Sequence, residues 1–294
     1  MAKFKGYQPN AFYIAGEAYA GQVIPLLASR LLSVTSSPQA QPKLKGILIG
    51  NPVLEWEDLE QHRVEYLISR NLVDPRLVPY WDRSCKSDAS SAGCSFFYQR
   101  FEDLTYRINP RNVYEICHGR SGPPQHGLIT KIGQRMSELG QHIPTRVNPE
   151  PYDDCQYQEG LSHYLTINAQ ALRSDKTSGV SICNATIFNA YKPSKGGSLG
   201  FIASLLQRKI KVYLYSGDLD STIPFTNTIL NIEKLGLRMQ GPLTPWKADD
   251  QHIGFTSTYS LDLKMYLVKG ASQQVPLTRR MPAFKLFEKF IYDG

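Results

Sequence analysis

The 294-residue sequence lacks the features that would place it in a membrane, on a nucleic acid or around a structural metal. No apolar run approaches the roughly 18 to 20 residues that a membrane helix needs. Lys and Arg exceed Asp and Glu by 33 to 26, a net charge of +7, but no basic block or nucleic-acid motif concentrates that charge. The five cysteines are not spaced like metal ligands. We therefore expect no membrane span, no nucleic-acid partner, no metal and no cofactor.

What the sequence does contain is a short apolar strand that ends in a turn of small residues. Residues 12–15, Phe-Tyr-Ile-Ala, predict a buried strand, and the pattern over 22–32 predicts a helix. Between them, Gly16, Ala18 and Ala20 provide the small side chains that a sharp strand-to-helix turn needs. Strand, turn and helix in this order are the layout of a nucleophile elbow, at which an α/β-hydrolase holds its attacking residue.

Four motifs along the chain resemble, in order, those of the serine carboxypeptidase family. Residues 16–21, Gly-Glu-Ala-Tyr-Ala-Gly, are similar to its Gly-Glu-Ser-Tyr-Ala-Gly elbow. Residues 108–117 are similar to its Ile-Asn-x-x-Asn-Ile-Tyr…Cys segment, and residues 215–224 to the Tyr-Ser-Gly-Asp-x-Asp-x-x-Ile-Pro motif that carries its acid. Residues 270–276, Gly-Ala-Ser-Gln-Gln-Val-Pro, are similar to the Gly-Ala-x-His-x-Val-Pro motif that carries its base. The resemblance extends from about Tyr13 to the C-terminus.

This resemblance implies a fold class and a division of the chain. The fold is the C-terminal part of an α/β-hydrolase, a partial and mostly parallel sheet with a helical insertion. Strands are expected near residues 12–15, 46–50, 211–215 and 262–269. The partial core would comprise residues 1–53 and 201–294. The insertion would comprise residues 54–200, with a long basic Gly/Pro loop at 118–151.

The two residues that perform the chemistry in this family are replaced here. In such a triad serine attacks, histidine takes and returns its proton, and aspartate orients the histidine. The resemblance places Ala18 at the serine, Asp220 at the aspartate and Gln273 at the histidine. A methyl group cannot attack a carbonyl, and an amide does not titrate near neutral pH. Because either loss alone costs such a hydrolase roughly 10⁶-fold in kcat, about 8 kcal/mol of barrier, we expect no hydrolysis.

Two further residues of the elbow, Glu17 and Tyr19, match the family. There the glutamate helps to hold the terminal carboxylate of the substrate, and the backbone N–H after the nucleophile forms part of the oxyanion hole. The resemblance therefore makes Glu17 a residual carboxylate site and the Tyr19 N–H a residual oxyanion donor. The family's Asn-Gly-Gly-Pro-Gly turn, which completes that hole, has no match in the 294 residues.

The family's disulfides imply two pairs within this chain, Cys85 with Cys94 and Cys117 with Cys155. The family cysteine that resembles Cys183 bonds to an N-terminal portion that this sequence does not match, so Cys183 is expected to be an orphan thiol. An oxidising compartment predicts that both pairs are bonded, whereas the cytosol or an organelle matrix predicts five free thiols.

Two features of the sequence indicate different compartments. Residues 1–6 form no apolar signal core and the pI is near 9.0, so we favour an intracellular location, such as a mitochondrial or other organellar assembly, with reduced thiols. Asn184 begins an Asn-Ala-Thr glycosylation sequon. The family is mostly vacuolar, lysosomal or secreted, and that alternative stays open.

The unmatched N-terminal portion has a consequence for the sheet. In the family the elbow strand is paired on both sides, whereas here the strand at 12–15 would have one open edge, which must be paired or covered. We therefore expect a protein partner at this edge, either a separate N-terminal half or an unrelated subunit of a large assembly. Lys3, Lys5 and the loop at 118–151 are candidate flanking contacts. Expressed alone, the chain is expected to aggregate or to remain partly unfolded.

These observations lead to three hypotheses for function. The first is a catalytically inactive serine carboxypeptidase-like protein that serves as a structural subunit. The second is a serine carboxypeptidase or acyltransferase seen in an inactivated or incomplete form, which a native gene with serine at position 18 and histidine at position 273 would establish. The third is a peptide-binding module that uses Glu17, which binding of free but not amidated peptides would establish.

Overall fold

A computed structural model describes residues 5–7, 9–33, 42–56, 58–86, 88, 91–105, 108–115, 164–165, 167–168, 190, 197–248 and 250–292. The chain divides into two compact units. The first comprises residues 1–63, 110–112 and 196–294, and the second comprises residues 64–109 and 113–195. The strands belong to the first unit, and the described part of the second unit is helical.

The first unit is built on a six-stranded sheet in the order β1-β2-β3-β6-β5-β4. The strands are β1 (Ala11–Glu17), β2 (Lys43–Gly50), β3 (Lys211–Gly217), β4 (Thr244–Ala248), β5 (Gln251–Tyr259) and β6 (Leu263–Val268). β1, β2, β3 and β6 run parallel, and β5 pairs antiparallel with both β6 and β4. Because parallel strands run in one direction, the turns that follow β1, β2, β3 and β6 lie together at the carboxyl end of the sheet.

Helices cover both faces of this sheet. The α-helices within the described residues are α1 (Ala20–Ser33), α2 (Leu59–Ser69), α3 (Val78–Ser84), α4 (Ala92–Thr105), α5 (Leu199–Gln207), α6 (Phe225–Glu233), α7 (Val275–Thr278) and α8 (Arg280–Tyr292). On one face Ile24 of α1 and Ile202 of α5 pack with Leu214 of β3 in one buried cluster. On the other face Phe290 of α8 packs with Tyr213 of β3. The resulting helix–sheet–helix layers place α1 and α8 on opposite sides of the sheet.

Strand β1 differs from the central strands in burial. Every residue of β3 is buried, whereas in β1 Ala11 and Ala15 are exposed and the others are half-buried. Among the described residues β1 pairs with β2 alone and lies at the edge of the sheet. The expectation of a buried strand at 12–15 is therefore wrong. Its apolar side chains reflect packing against the helices on the two faces, not pairing on both sides.

The sheet also contains a hairpin that the sequence analysis did not predict. β4 and β5 pair antiparallel at the edge opposite to β1. The parallel strands that were predicted are present, with β1, β2 and β3 longer than expected and β6 shorter. The fold is therefore α/β with a mixed, mostly parallel sheet.

The described part of the second unit is a small helical core. The C-terminal part of α2, together with α3 and α4, surrounds Leu67, Trp81 and Phe101. Cys85, which follows α3, is joined to Cys94 of α4 by a disulfide. This pair was implied by the family resemblance, and its bonded state differs from the reduced thiols that an intracellular location predicts.

Several sequence-based expectations lie outside the described residues. These are the Cys117–Cys155 pair, Cys183, Asn184, Lys3 and the loop at 118–151, which therefore stay predictions. No helix in the described ranges has the length and apolar character needed to cross a membrane.

Candidate functional site

The turn between β1 and α1 has the backbone of a nucleophile elbow. Ala18 adopts a left-handed conformation with φ of 55°, which is uncommon for a residue other than glycine. Its N–H donates to Gly50 O at 2.9 Å, and its carbonyl accepts from the N–H of Gly21 at 3.0 Å and of Val53 at 3.1 Å. These bonds, which connect the turn to β2 and to the loop after β2, hold the strained residue in place.

The two outer glycines of this turn are required by close packing. A Cβ added at Gly16 would lie 2.7 Å from Ala20 Cβ, and one added at Gly21 would lie 2.6 Å from Val53 O. The side chain of Gln22 also donates to the carbonyls of Val53 and Leu54, at 3.0 and 2.7 Å. Of the small residues that predicted the elbow, Gly16 is required by packing, and Gly21 at the start of α1 is required as well.

Asp220 follows β3 at the same carboxyl end of the sheet as the elbow, and it is completely buried. One carboxylate oxygen accepts from the backbone N–H groups of Thr222, at 2.8 Å, and Ile223, at 3.3 Å. The other accepts from Asn51 Nδ2 at 2.8 Å and, over a long 3.5 Å contact, from Gln273 Nε2. Burial raises the pKa of Asp220 to about 6, and the hydrogen bonds act in the opposite direction.

The structure thus brings two of the three triad positions together, with an amide where the imidazole would stand. Gln273 is buried, and its backbone N–H donates to Arg111 O at 2.9 Å. Its side-chain amide can donate to the Asp220 carboxylate as an imidazole N–H would, but it has no basic nitrogen with which to take a proton. Asp220 is consequently a hydrogen-bond acceptor within the fold, and none of its described partners is a histidine.

Asn51 is a site residue for which the sequence analysis assigned no role. It follows β2 with φ of 40° and is fully buried. Its amide oxygen accepts from Gly217 N at 3.3 Å, and its amide nitrogen donates to Asp220. Its side chain therefore connects the ends of β2 and β3 and orients the carboxylate. The Gly-Asn that ends the second predicted strand was the available signal, but only the fold places it beside a residue 169 positions away.

The segment around Pro110 connects two loops: the one after β3 that contains Asp220 and the one that contains Gln273. The carbonyl of Pro110 accepts from Ser221 N at 2.8 Å, from Ser221 Oγ at 2.8 Å and from Thr222 N at 3.2 Å. The next carbonyl, that of Arg111, accepts from Gln273 N. The Pro110 and Arg111 carbonyls of the motif noted in the sequence therefore connect the loop of Asp220 to the loop of Gln273.

Glu17, at the end of β1, is half-buried beside these groups. Burial raises the pKa of its carboxyl to about 7, and the negative charge of Asp220 adds to this effect, whereas the Arg111 guanidinium opposes it. Burial also raises the pKa of the Tyr215 hydroxyl, and the Glu17 charge adds to that shift. The charge of Asp220 thus raises the pKa of Glu17, and burial raises the pKa of both carboxyls.

The side chain of Ala18 belongs to a small apolar cluster. It packs with the buried residues Val53, Leu59 and Ile223 and with half-buried Trp56. The rings of Trp56 and Tyr19 lie 6.0 Å apart between centroids. The residue that the resemblance places at the family's nucleophile thus presents a methyl group to an apolar cluster.

The described residues supply no replacement for the missing groups. The described hydrogen bonds of Asp220 come from Asn51, Gln273 and two backbone N–H groups, and none comes from a histidine. His62 Nδ1 lies 3.0 Å from Asn227 Nδ2, and exposed His252 packs edge-on against Phe255. Within the described ranges no three His, Cys, Asp or Glu side chains converge as metal ligands.

Comparison with known proteins assigns the chain to a family. The profile of the family described as serine carboxypeptidase matches residues 1–293. The chain is 25% identical over 301 residues to Serine carboxypeptidase-like 25 of Arabidopsis thaliana, covering 99% of this chain and 63% of that protein. It is 26% identical over 302 residues to Serine carboxypeptidase II-1 of Hordeum vulgare, covering 100% of this chain and 89% of that protein.

The fold has a solved counterpart in the same family. The structure of Kex1(delta)p, a prohormone-processing carboxypeptidase from Saccharomyces cerevisiae, superposes with a TM-score of 0.65 at 17% sequence identity, covering 99% of this chain and 64% of that one. At that identity the likeness establishes the fold alone. The chain thus spans somewhat under two thirds of the length of the Arabidopsis relative and of the yeast structure. On the family profile, the relatives and the fold, this chain belongs to the serine carboxypeptidase family.

Proposed function

We propose that this protein is a non-hydrolytic member of its family and acts as a structural subunit through protein–protein contacts. The observation that carries the proposal is the pair of side chains at the triad positions, Ala18 on the elbow and Gln273 against Asp220. The elbow backbone is formed, so its geometry does not account for a loss of activity. The loss is one of chemistry, because no hydroxyl stands at the elbow and no base stands at the acid.

The proposed partner lies along the free edge of β1. Among the described residues this edge is paired with no strand, and exposed strand edges in proteins are paired, covered or otherwise protected. A partner that adds a strand there would complete the sheet, and it could be a separately encoded N-terminal half or an unrelated subunit. The unpaired edge of β1 thus supports the proposed structural role, and the residues Ala18 and Gln273 support the proposed inactivity.

Two other functions have specific support. Glu17 keeps a half-buried carboxyl beside the elbow, which suits recognition of a peptide carboxylate without cleavage. A titration with one peptide as its free acid and as its amide, repeated with Glu17→Gln, tests this, because amidation should cost affinity only while Glu17 is present. The relatives are named as serine carboxypeptidases, so an active enzyme seen here in inactivated or incomplete form is the second candidate. Sequencing the native gene at positions 18 and 273 tests it.

The compartment is a separate proposal. The Cys85–Cys94 disulfide supports an oxidising compartment, whereas the sequence features noted above favour an intracellular assembly. Alkylation in denaturant without prior reduction distinguishes the two, because Cys85 and Cys94 are buried in the folded protein. Free Cys85 and Cys94 thiols indicate the cytosol or a matrix, and their protection indicates the secretory route.

The proposed function is tested by two measurements on the native protein. Peptides with a free C-terminus should not be hydrolysed, and the protein should sediment with other chains, not as a monomer. Hydrolysis that a serine-directed inhibitor abolishes would contradict the inactivity, and a stable, cooperatively folded monomer would contradict the structural role.

A further inference from the structure

We propose that Asp218 is the positioning residue for the side chain at position 273: its carboxylate fixes the backbone of residues 270–273, here called the 273 loop, and so holds that side chain against Asp220. Asp218 and Asp220 follow β3 two residues apart, and the first bonds to the backbone of the loop whereas the second faces its side chain. The proposal holds whether or not the protein is hydrolytic, because it concerns where the loop lies and not which side chain it carries.

The carboxylate of Asp218 accepts from two successive backbone N–H groups of the 273 loop. Its Oδ1 lies 2.5 Å from Gly270 N and 3.2 Å from Ala271 N. An aspartate in a turn usually bonds to backbone groups a few residues further on. These two N–H groups lie 52 and 53 positions away, beyond the end of β6. The Asp218 side chain therefore joins the loop after β3 to the 273 loop.

The two remaining backbone N–H groups of the 273 loop also have acceptors. That of Ser272 donates to Thr278 Oγ1 at 3.0 Å, and that of Gln273 donates to Arg111 O at 2.9 Å. With the two bonds to Asp218, four consecutive N–H groups are paired. Because their acceptors come from three separate segments of the chain, the loop is fixed from several sides, and Asp218 supplies two of the four bonds.

Two carbonyls and a close backbone approach constrain the loop further. Ala271 O accepts from Leu219 N at 2.9 Å, and Gly270 O accepts from Arg279 Nε at 2.9 Å. A Cβ added at Gly217 would lie 2.4 Å from Ala271 O, so the loop passes directly over the end of β3. None of these contacts uses the side chain at position 273. The backbone therefore sets the place of the loop, whichever side chain stands there.

The contact between Gln273 and Asp220 is too weak to place the loop by itself. Gln273 Nε2 lies 3.5 Å from Asp220 Oδ2, whereas N–H···O bonds in proteins are ordinarily about 2.7–3.2 Å long. The loop thus holds the side chain, and the side chain does not hold the loop. Asp218 consequently acts on the partner of Asp220 through the backbone.

A titrating side chain introduced at position 273 measures this placement. In Gln273→His, exchange of the imidazole C2 hydrogen for deuterium, read by mass spectrometry over a range of pH, gives the pKa of the ring in the protein as isolated from cells. Asp220→Asn in that background should weaken proton binding by the ring about tenfold or more, because a carboxylate within about 4–6 Å favours the charged imidazole. We call this ratio the coupling, and it reports how close the two side chains lie.

Three further variants show whether Asp218 maintains the coupling. Asp218→Ala should reduce it below about threefold, since two of the four backbone bonds are lost. Asp218→Asn should preserve most of it, because the amide oxygen can accept from the same two N–H groups. Asp74→Ala is the matched control, because that carboxylate also accepts from a backbone N–H, that of Arg76 at 2.9 Å, but lies in the second unit. It should leave the coupling unchanged.

Several results would overturn the proposal. These are a coupling that survives Asp218→Ala, a coupling that Asp74→Ala lowers equally, a loss with Asp218→Asn as large as with Asp218→Ala, and a coupling below about threefold in Gln273→His itself.

The unaltered protein provides a measurement that depends on no variant. The four backbone amides of residues 270–273 should exchange at least about 100-fold more slowly than those of an unstructured peptide, and fast exchange would overturn the proposal. Hydrolysis by the native protein would contradict the function proposed above and would leave each of these outcomes unaffected, so the two failures are distinguishable.

Discussion

The carboxyl end and the open edge of strand β1 differ in what they lack relative to the family: the first lacks the side chains of the triad, and the second lacks a neighbouring strand. At the carboxyl end the elbow backbone is complete, with Ala18 held by three hydrogen bonds, but the side chains that would do chemistry are a methyl and an amide. Along the edge the side chains are those of an interior strand, but the backbone has no second neighbour among the described residues. The proposed inactivity therefore rests on the side chains at the carboxyl end, and the proposed partner rests on the unpaired backbone of the edge.

The largest expected effect comes from restoring the two side chains at the elbow. Ala18→Ser alone should remain unreactive towards a serine-directed phosphonate, because no base stands against Asp220. Ala18→Ser combined with Gln273→His should become labelled, since the elbow geometry and the buried acceptor are already formed. The two groups act as a unit worth roughly 10⁶-fold in such hydrolases. Labelling of the single variant at the rate of the double would show that another base exists.

A smaller effect is expected when Asp220 is replaced, and it concerns the free energy of unfolding. Asp220→Asn replaces one of the two carboxylate oxygens by an NH₂ group. In one orientation this group would face the Asn51 and Gln273 donors, and in the other it would leave the two backbone N–H groups without an acceptor. Each unsatisfied buried donor costs about 1–3 kcal/mol, so the free energy of unfolding should fall by about that amount. Asp262→Asn, at an exposed position, is the control. Equal stability of both variants in urea unfolding would show that the buried network contributes nothing.

The edge can be examined with amide exchange after the partners have been removed. The N–H groups of Ile14 and Gly16, which face β2, should exchange at least about 100-fold more slowly than those of Tyr13, Ala15 and Glu17. Protection of all five amides in a monodisperse chain would mean that the edge is covered from within the chain, and the difference between the two regions would disappear.

A dependence of stability on pH is also expected. The folded-state pKa values of Glu17, about 7, and Asp220, about 6, lie above their ordinary values of 4.5 and 3.8. Between those limits the folded chain holds protons that the unfolded chain has released, so the free energy of unfolding falls as pH rises through 6 to 7. Denaturant midpoints should therefore be higher at pH 5 than at pH 8, and Glu17→Gln should reduce this difference. A midpoint that rises with pH would contradict the burial of these carboxyls.

The elbow and the parallel strands were predictable because their signals are local. The small residues at Gly16 and Gly21 and the Gly-Asn after β2 specify tight turns within a few residues, whatever the rest of the chain does. The role of Asn51 was not predictable, since its bond to Asp220 joins turns that are distant in sequence.

The hairpin of β4 and β5 was missed for a related reason. Pro245 and Gly254 interrupt strand patterns and ordinarily indicate turns. In the fold, a Cβ at Gly254 would lie 1.9 Å from Leu267 O of β6, so glycine is needed for the pairing of β5 and does not mark its end. Pro245 lies on the outermost strand, where proline is tolerated.

The burial of β1 was misjudged because side-chain pattern and backbone pairing are separate properties. Phe12 and Ile14 pack on one face of the sheet and Tyr13 on the other, as apolar residues of an interior strand do. Nothing in those residues indicates whether a strand lies beyond them, so the open edge was expected only from the family resemblance, and the sheet order of the described residues agrees with that expectation.

The most direct test of the central claim is titration of the native, unaltered protein with a labelled serine-directed phosphonate, followed by mass spectrometry of the tryptic peptide that contains residue 18. With Ala18 at the elbow and Gln273 against the acid, no mass addition is expected on that peptide at any reagent concentration that labels an active carboxypeptidase completely. Stoichiometric labelling of that peptide, with parallel loss of peptide hydrolysis, would show a nucleophile at the elbow and contradict the claim that the protein is non-hydrolytic.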